Sequence, residues 1–215
     1  MIVVAHRAQD VKEPIPQRFG VEIDVRDSSS GLCLSHDPPK GDFMGPFLDE
    51  WLHRGEREDR PLYAVNVKAD GIESSLVEWF KPYPSLWSKT CFFDGSYPTM
   101  RRLKMLNVPV AERISEEEPY LGFSDIVWLD RWDWVDGDGA IPEGRPTAAG
   151  NDKCVRVPLM NNKTGNRTTI YAVSPELHIP NCQPSFRRYW WRRFQEMGCA
   201  GICTDHWLEA EEFLK

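Results

Sequence analysis

Eight short apolar runs rich in β-branched residues punctuate this chain, and each ends on polar or ionisable side chains. They cover residues 2–7, 20–26, 61–69, 91–96, 108–114, 125–130, 168–173 and 201–204. Helical patterns lie between most of them. Residues 47–57 place Phe47, Leu48, Trp51 and Leu52 on one stripe, and 72–80 do the same with Ile72, Leu76, Trp79 and Phe80. Residues 98–106 open on a proline at a favoured first-turn position. Residues 185–197 follow Pro184 and carry Phe186, Tyr189, Trp190, Phe194 and Met197, and 206–214 close the chain. Strands alternating with helices need crossovers, which make neighbouring strands parallel, and eight such units are the count of a closed barrel. The expected fold is α/β: a compact (β/α)8 TIM barrel, one domain over residues 1–215. Its 215 residues fall below the ~250 usual for the fold, so some helices must be short or missing. The tightest connections are those after the first strand and after the fifth. Residues 134–167, with Gly137, Gly139, Gly144, Gly150, Gly165 and three prolines, read as an irregular insertion placed to act as a lid.

Composition narrows the classes of partner. A net charge of −7 argues against a general nucleic-acid binder or an anionic-membrane binder, while leaving room for a local basic pocket. No apolar stretch approaches the ~20 residues of a membrane span. Met1 to Ala5 run straight into His6-Arg7 without the pattern of a signal peptide, so the expected location is cytoplasmic. The six cysteines form no CxxC pair and read as buried free thiols; a zinc site is not expected.

In a β/α barrel, function sits at the carboxyl ends of the strands. The first strand ends in His6-Arg7. The second carries Glu22 and Asp24, which share a parity and so project to one side. The third ends in Asn66-Val67-Lys68, the fourth at Asp94, the fifth at Glu112-Arg113 and the sixth at Trp128-Leu129-Asp130. The seventh leads into Ser174-Pro175-Glu176-Leu177-His178 and the eighth ends Thr204-Asp205. Two carboxylates side by side are costly to desolvate unless a cation or a basic group lies between them. One reading is a metal site; the other is a structural ion pair with Arg7 and Lys68. His53, His178 and His206 belong to no motif, and the Arg187-Arg188 and Arg192-Arg193 pairs read as the solvated face of a helix.

Four segments together give the chain a resemblance: Ala5-His6-Arg7, Gly20-Val21-Glu22-Ile23-Asp24-Val25, His36-Asp37, and Gly201-Ile202-Cys203-Thr204-Asp205. In order and spacing they resemble the glycerophosphodiester phosphodiesterase family, among the phospholipase-C-like barrel phosphodiesterases, as a divergent branch. The resemblance implies that His6 and His36 are the paired general acid and base. It implies one divalent cation, Mg²⁺ or Ca²⁺, on Glu22 and Asp24, with Asn66 and Asp94 completing the shell. Oxygen donors suit such hard cations. Arg7 and Lys68 would bind phosphate oxygens, and Arg113, Trp128 and Glu176 would contact the remaining substrate.

The chain departs from the family pattern in three places. Asn66 stands where the family has a glutamate ligand. Ala8-Gln9-Asp10-Val11-Lys12-Glu13-Pro14 replaces a Glu-Asn-Thr-like segment, and Ser174-Pro175-Glu176 replaces a Trp-Thr pair. The expected function is metal-dependent hydrolysis of a glycerophosphodiester or related small phosphodiester, with no nucleic-acid partner and no membrane span. The alternatives are a catalytically weak or inactive barrel that binds a phosphorylated ligand or partner protein, and a lyase that stops at a cyclic phosphate.

Overall fold

The computed structural model describes residues 1–40, 47–48, 60–115, 117–130 and 160–215. Most of the expected helix over 47–57 and most of the expected insertion over 134–167 lie outside the described residues, as does Cys154. Two compact units are present, Ile2–Ala111 and Glu112–Lys215, with Met1 grouped in the second.

In the first unit, β1 (Ile2–Ala5), β2 (Gly20–Ser28), β4 (Tyr63–Val67) and β5 (Thr90–Phe93) run in the order β5-β4-β2-β1. All of these pairings are parallel. Val21, Ile23 and Val25 of β2 are at most 1% exposed on one side, and Glu22 and Asp24 of the other parity are equally enclosed, at 2% and 1%. The alternation expected from the sequence is therefore realised, with acids on the side away from the apolar packing. An additional strand, β3 (Gly31–Leu34), pairs antiparallel with the outer half of β2, Val25 opposite Leu34. Ser28-Ser29-Ser30-Gly31 is a turn signal ahead of Leu32-Cys33-Leu34, so this hairpin was legible although the eight-run pattern passes over it. Gly31, at φ +128°, takes a backbone conformation that side-chain-bearing residues rarely adopt.

Short helices cover this unit. In α1 (Glu73–Phe80), Leu76 and Phe80 are buried; α2 (Pro84–Trp87) is a single turn. Helix α3 (Tyr97–Met105) begins at Ser96, whose Oγ accepts from the Thr99 N–H at 3.4 Å. After β1 there is only a 3₁₀ turn, Ala8–Asp10. The long return to β2 is fastened by Arg60, which is 2% exposed. Its guanidinium donates to the carbonyls of Ile15 at 2.8 Å, Pro16 at 3.1 Å and Phe19 at 3.3 Å.

In the second unit the order is β9-β8-β7-β6, from β6 (Ala111–Ile114), β7 (Ile126–Leu129), β8 (Thr169–Val173) and β9 (Gly201–Thr204). No helix joins β6 to β7 among the described residues. The Glu112 carboxylate organises that connection, accepting from the N–H groups of Leu121, Gly122 (3.2 Å), Phe123 (3.0 Å) and Ser124 (3.4 Å). Helix α4 (Pro184–Glu196) buries Phe186, Trp191 and Phe194; Trp191 lies outside the apolar set expected for this helix, while Trp190, within that set, is half-buried. Arg187 is also buried rather than solvated. Glu209 on α5 (Trp207–Phe213) pairs with it and with Arg188, the latter at 2.7 Å, and this charge match lets the guanidinium leave water. Cys33, Cys91, Cys182, Cys199 and Cys203 are free thiols, all buried except the half-buried Cys182.

Among the described residues, strands parallel to one another, eight in number once the antiparallel β3 is set aside, alternate with short helices. This is an α/β fold of the (β/α)8 barrel class with some helices short or missing.

Candidate active site

Three adjacent strands of the first unit bring the sequence-predicted residues together. Ala5 pairs with Val21, which makes His6 and Glu22 the next residues along β1 and β2. Asp24 pairs with Asn66 across β2 and β4. Lys68 follows β4, its N–H donating to the Val25 carbonyl at 2.9 Å. Asp94 follows β5 in the left-handed region at φ 67°. The hairpin returns His36 to the same end, because the Ser35 N–H donates to the Asp24 carbonyl at 3.1 Å. An Arg26 N–H holds the His36 carbonyl at 3.1 Å, and His36 Nδ1 meets Asp37 Oδ1 at 2.9 Å.

The two acids sit in different electrostatic surroundings. Asp24 has the ion pairs anticipated for a structural role: Arg7 Nε at 3.7 Å and Lys68 Nζ at 3.6 Å. Lys68 also bonds Asp94 Oδ2 at 3.1 Å. Gln9, in the segment that departs from the family pattern and to which no role is assigned from the sequence, donates its Nε2–H to Asp24 Oδ2 at 2.9 Å. Glu22 instead accepts the Arg7 backbone N–H at 2.8 Å and a side-chain hydrogen bond from Asn66. Burial, and then the neighbouring Asp24 charge, push its carboxyl from an ordinary 4.5 up to about 7; His6 and the two hydrogen bonds oppose the rise. Across the site, the hydrogen bond from His36 and its charge hold the exposed Asp37 carboxyl below its usual range, with Arg7 adding to the effect.

Among the described residues no group of three or more His, Cys, Asp or Glu is arranged to hold a metal. The donor set here contains an amide in the third place. Asn66 is 8% exposed, and its Oδ1 is buried without a hydrogen-bond partner. An orphaned buried acceptor is costly, as is ionising a carboxyl that is buried beside a like charge. One cation touching Glu22, Asp24 and Asn66 Oδ1 would relieve both, so the residues present fit a hard divalent ion with oxygen ligands.

The remaining predicted residues lie in the second unit and have partners there. Arg113 directs its fork at Glu118, at 2.6 and 2.9 Å. Trp128 is 3% exposed and packs on Tyr171 with ring centroids 6.4 Å apart. Glu176 accepts from the Ser174 and Thr204 hydroxyls, and Trp191 Nε1–H donates to Ser174 Oγ at 2.6 Å. His178, which no motif singled out, meets Asp130 with Nε2 and Oδ1 2.6 Å apart.

No family model matches the chain, and no curated protein does. Solved structures do. A candidate glycerophosphodiester phosphodiesterase from Galdieria sulphuraria matches with a TM-score of 0.62 at 12% identity, over 100% of this chain and 98% of that one. The glycerophosphodiester phosphodiesterase from Agrobacterium tumefaciens str. C58 matches with a TM-score of 0.55 at 13% identity, over 95% and 96%. The chain thus has the fold of solved glycerophosphodiester phosphodiesterases, at 12% and 13% identity. No helix among the described residues is long and apolar enough to cross a membrane.

Proposed function

We propose that this chain is a metal-dependent phosphodiesterase acting on a glycerophosphodiester or a related small phosphodiester. The observation that carries the reading is the convergence of His6, Glu22, Asp24 and the unsatisfied Asn66 Oδ1 at the ends of three adjacent strands. Glu22, Asp24 and Asn66 would hold one Mg²⁺ or Ca²⁺, with Asp94, whose Oδ2 accepts from Lys68 at 3.1 Å, as a fourth candidate ligand. When bound, that ion supplies polarisation of a phosphoryl oxygen. His6 and His36 then divide the proton transfers, one accepting from the attacking hydroxyl and the other protonating the departing alkoxide. Imidazole suits both tasks because its ordinary pKa of ~6.5 lies near neutrality. Asp37 holds His36 Nδ1, which leaves Nε2 as the nitrogen that exchanges protons. Arg7 offers its planar fork and Lys68 a point charge to the non-bridging oxygens.

The test is hydrolysis of glycerophosphocholine and bis(p-nitrophenyl) phosphate with Mg²⁺, Ca²⁺ or Mn²⁺, for wild type, His6→Ala and His36→Ala. Each substitution is expected to slow turnover by roughly 10²–10⁴. Equal rates in the three proteins would overturn the roles. Phosphorus NMR of the products separates full hydrolysis from a reaction that stops at a cyclic phosphate. A second reading, a barrel that binds a phosphorylated ligand without turning it over, draws on the engagement of Asp24 by Lys68, Arg7 and Gln9. Tight ligand binding in a wild type that hydrolyses neither substrate would favour it.

A further inference from the structure

The turn that follows β1 is bonded to both acids of β2. Arg7 adopts φ 45°, ψ 53°, the left-handed region that residues other than glycine disfavour. That conformation aims its N–H at Glu22 Oε2, 2.8 Å away, and starts a 3₁₀ turn closed by the Asp10 N–H on the Arg7 carbonyl at 2.8 Å. The turn lays Gln9 alongside Asp24. One side-chain amide there makes two contacts with one residue: Nε2–H donates to Asp24 Oδ2 at 2.9 Å, and Oε1 accepts the Asp24 backbone N–H at 3.4 Å. A side chain tied at both points fixes how the carboxylate is rotated.

That rotation matters because of what else surrounds Asp24. Arg7 Nε lies 3.7 Å from Oδ2, and Lys68 Nζ lies 3.6 Å from Oδ1. Both are beyond hydrogen-bond length. Arg7 Nε is moreover buried without a hydrogen-bond partner. A carboxylate able to turn would close onto that guanidinium, which prefers two parallel bonds to one carboxylate, and both oxygens would be consumed. With Oδ2 held by Gln9, Oδ1 keeps its lone pairs directed away from Arg7.

We propose that Gln9 is the positioning residue for Asp24: it keeps the carboxylate from collapsing onto Arg7 and so preserves one oxygen for a divalent cation. The proposal rests on the metal-dependent reading above. Its position in the chain is where the family resemblance lapses, in Ala8-Gln9-Asp10.

The experiment is Mn²⁺ titration by calorimetry of the full chain and its Gln9→Met variant, which keeps side-chain length and loses both polar atoms. Electron paramagnetic resonance of the bound Mn²⁺ and metal-free melting temperatures accompany it. Hydrogen-bonding partners of metal ligands commonly contribute 10–100-fold to affinity, and a loss of that size is expected, with a broadened Mn²⁺ spectrum and little change in melting. The same pair is then compared in an Arg7→Met background, where no guanidinium competes for Asp24; the loss should shrink to a few-fold. A wild type with no site tighter than millimolar overturns the metal reading and this proposal together. Wild-type binding matched by Gln9→Met overturns the proposal alone. So does an affinity loss of the same size with and without Arg7, or one accompanied by a matching fall in melting temperature, since either reduces Gln9 to packing.

Discussion

Replacing Glu22 by glutamine should stabilise the metal-free protein at alkaline pH while removing its response to cations. Glu22 is 2% exposed and sits beside Asp24, and its carboxyl is raised from 4.5 to about 7. A carboxyl with a raised folded-state pKa favours folding in its protonated form. Its contribution is whole below the unfolded value near 4.5 and is lost as pH climbs through about 7. At about 1.4 kcal/mol per pKa unit the full penalty is about 3 kcal/mol, most of which accrues between pH 5 and pH 8. Glutamine still offers a carbonyl oxygen to the Arg7 N–H and never ionises. The Glu22→Gln protein should therefore gain about 2–3 kcal/mol on wild type when both are taken from pH 5 to pH 8. For a chain of this length that is roughly 5–10 °C in melting temperature. The assay is thermal unfolding at the two pH values, with and without Mg²⁺ or Mn²⁺. In wild type the ion should raise the melting temperature more at pH 8 than at pH 5, because binding must displace the Glu22 proton; in the variant it should raise it little at either. A variant destabilised equally at both pH values, and still stabilised by the ion, would refute the reasoning.

Two further outcomes follow from charges already located. Lys68→Met removes an ammonium that lies 3.6 Å from Asp24 and 3.1 Å from Asp94. Divalent-ion affinity should rise about tenfold or more by simple Coulomb repulsion, while phosphodiester turnover falls; calorimetry and rate assays on the same preparation check the opposite signs, and a loss of ion affinity would contradict them. Arg60→Met leaves the carbonyls of Ile15, Pro16 and Phe19 without their shared donor. Unfolding in urea should show a loss of about 3 kcal/mol or more, and a loss under about 0.5 kcal/mol would show that water satisfies those carbonyls.

What the sequence disclosed follows from what is periodic. Strand parity put Glu22 and Asp24 on one side because alternation is a property of the backbone, and six of the eight runs contracted by a few residues at their ends or kept their bounds, as with Gly201–Thr204, while run 91–96 shifted to Thr90–Phe93. Run 20–26 instead lengthened to Gly20–Ser28, as β3 provides a partner for its outer half. The contributions of Gln9, Arg60 and Glu112 were not legible. Each acts on backbone or carboxylate groups distant in sequence, 15 residues away for Gln9 and Asp24 and 41 to 45 for Arg60, and no local pattern encodes such a pairing. The burial of Arg187 was hidden for a similar reason: the carboxylate that pairs with it, Glu209, comes 22 residues later. Trp128 and Arg113 stand at strand ends, where core packing on Tyr171 and a local ion pair with Glu118 give the same sequence signature as a substrate contact, so sequence position by itself does not separate the two roles.

His36 is carried by the β2–β3 hairpin and not by a barrel strand of its own, and this has a consequence for how the chain can vary. Its placement depends on the count of residues between Val25 and Leu34, which face each other across a turn ending at Gly31. One inserted or deleted residue in that turn would shift the ladder by a step and send the imidazole to the opposite side. Insertion scanning should accordingly find residues 28–31 intolerant of single-residue length changes, despite their exposure. The exposed loop thus acts as a spacer: its length, and the glycine at position 31 with φ +128°, are what the placement of His36 requires.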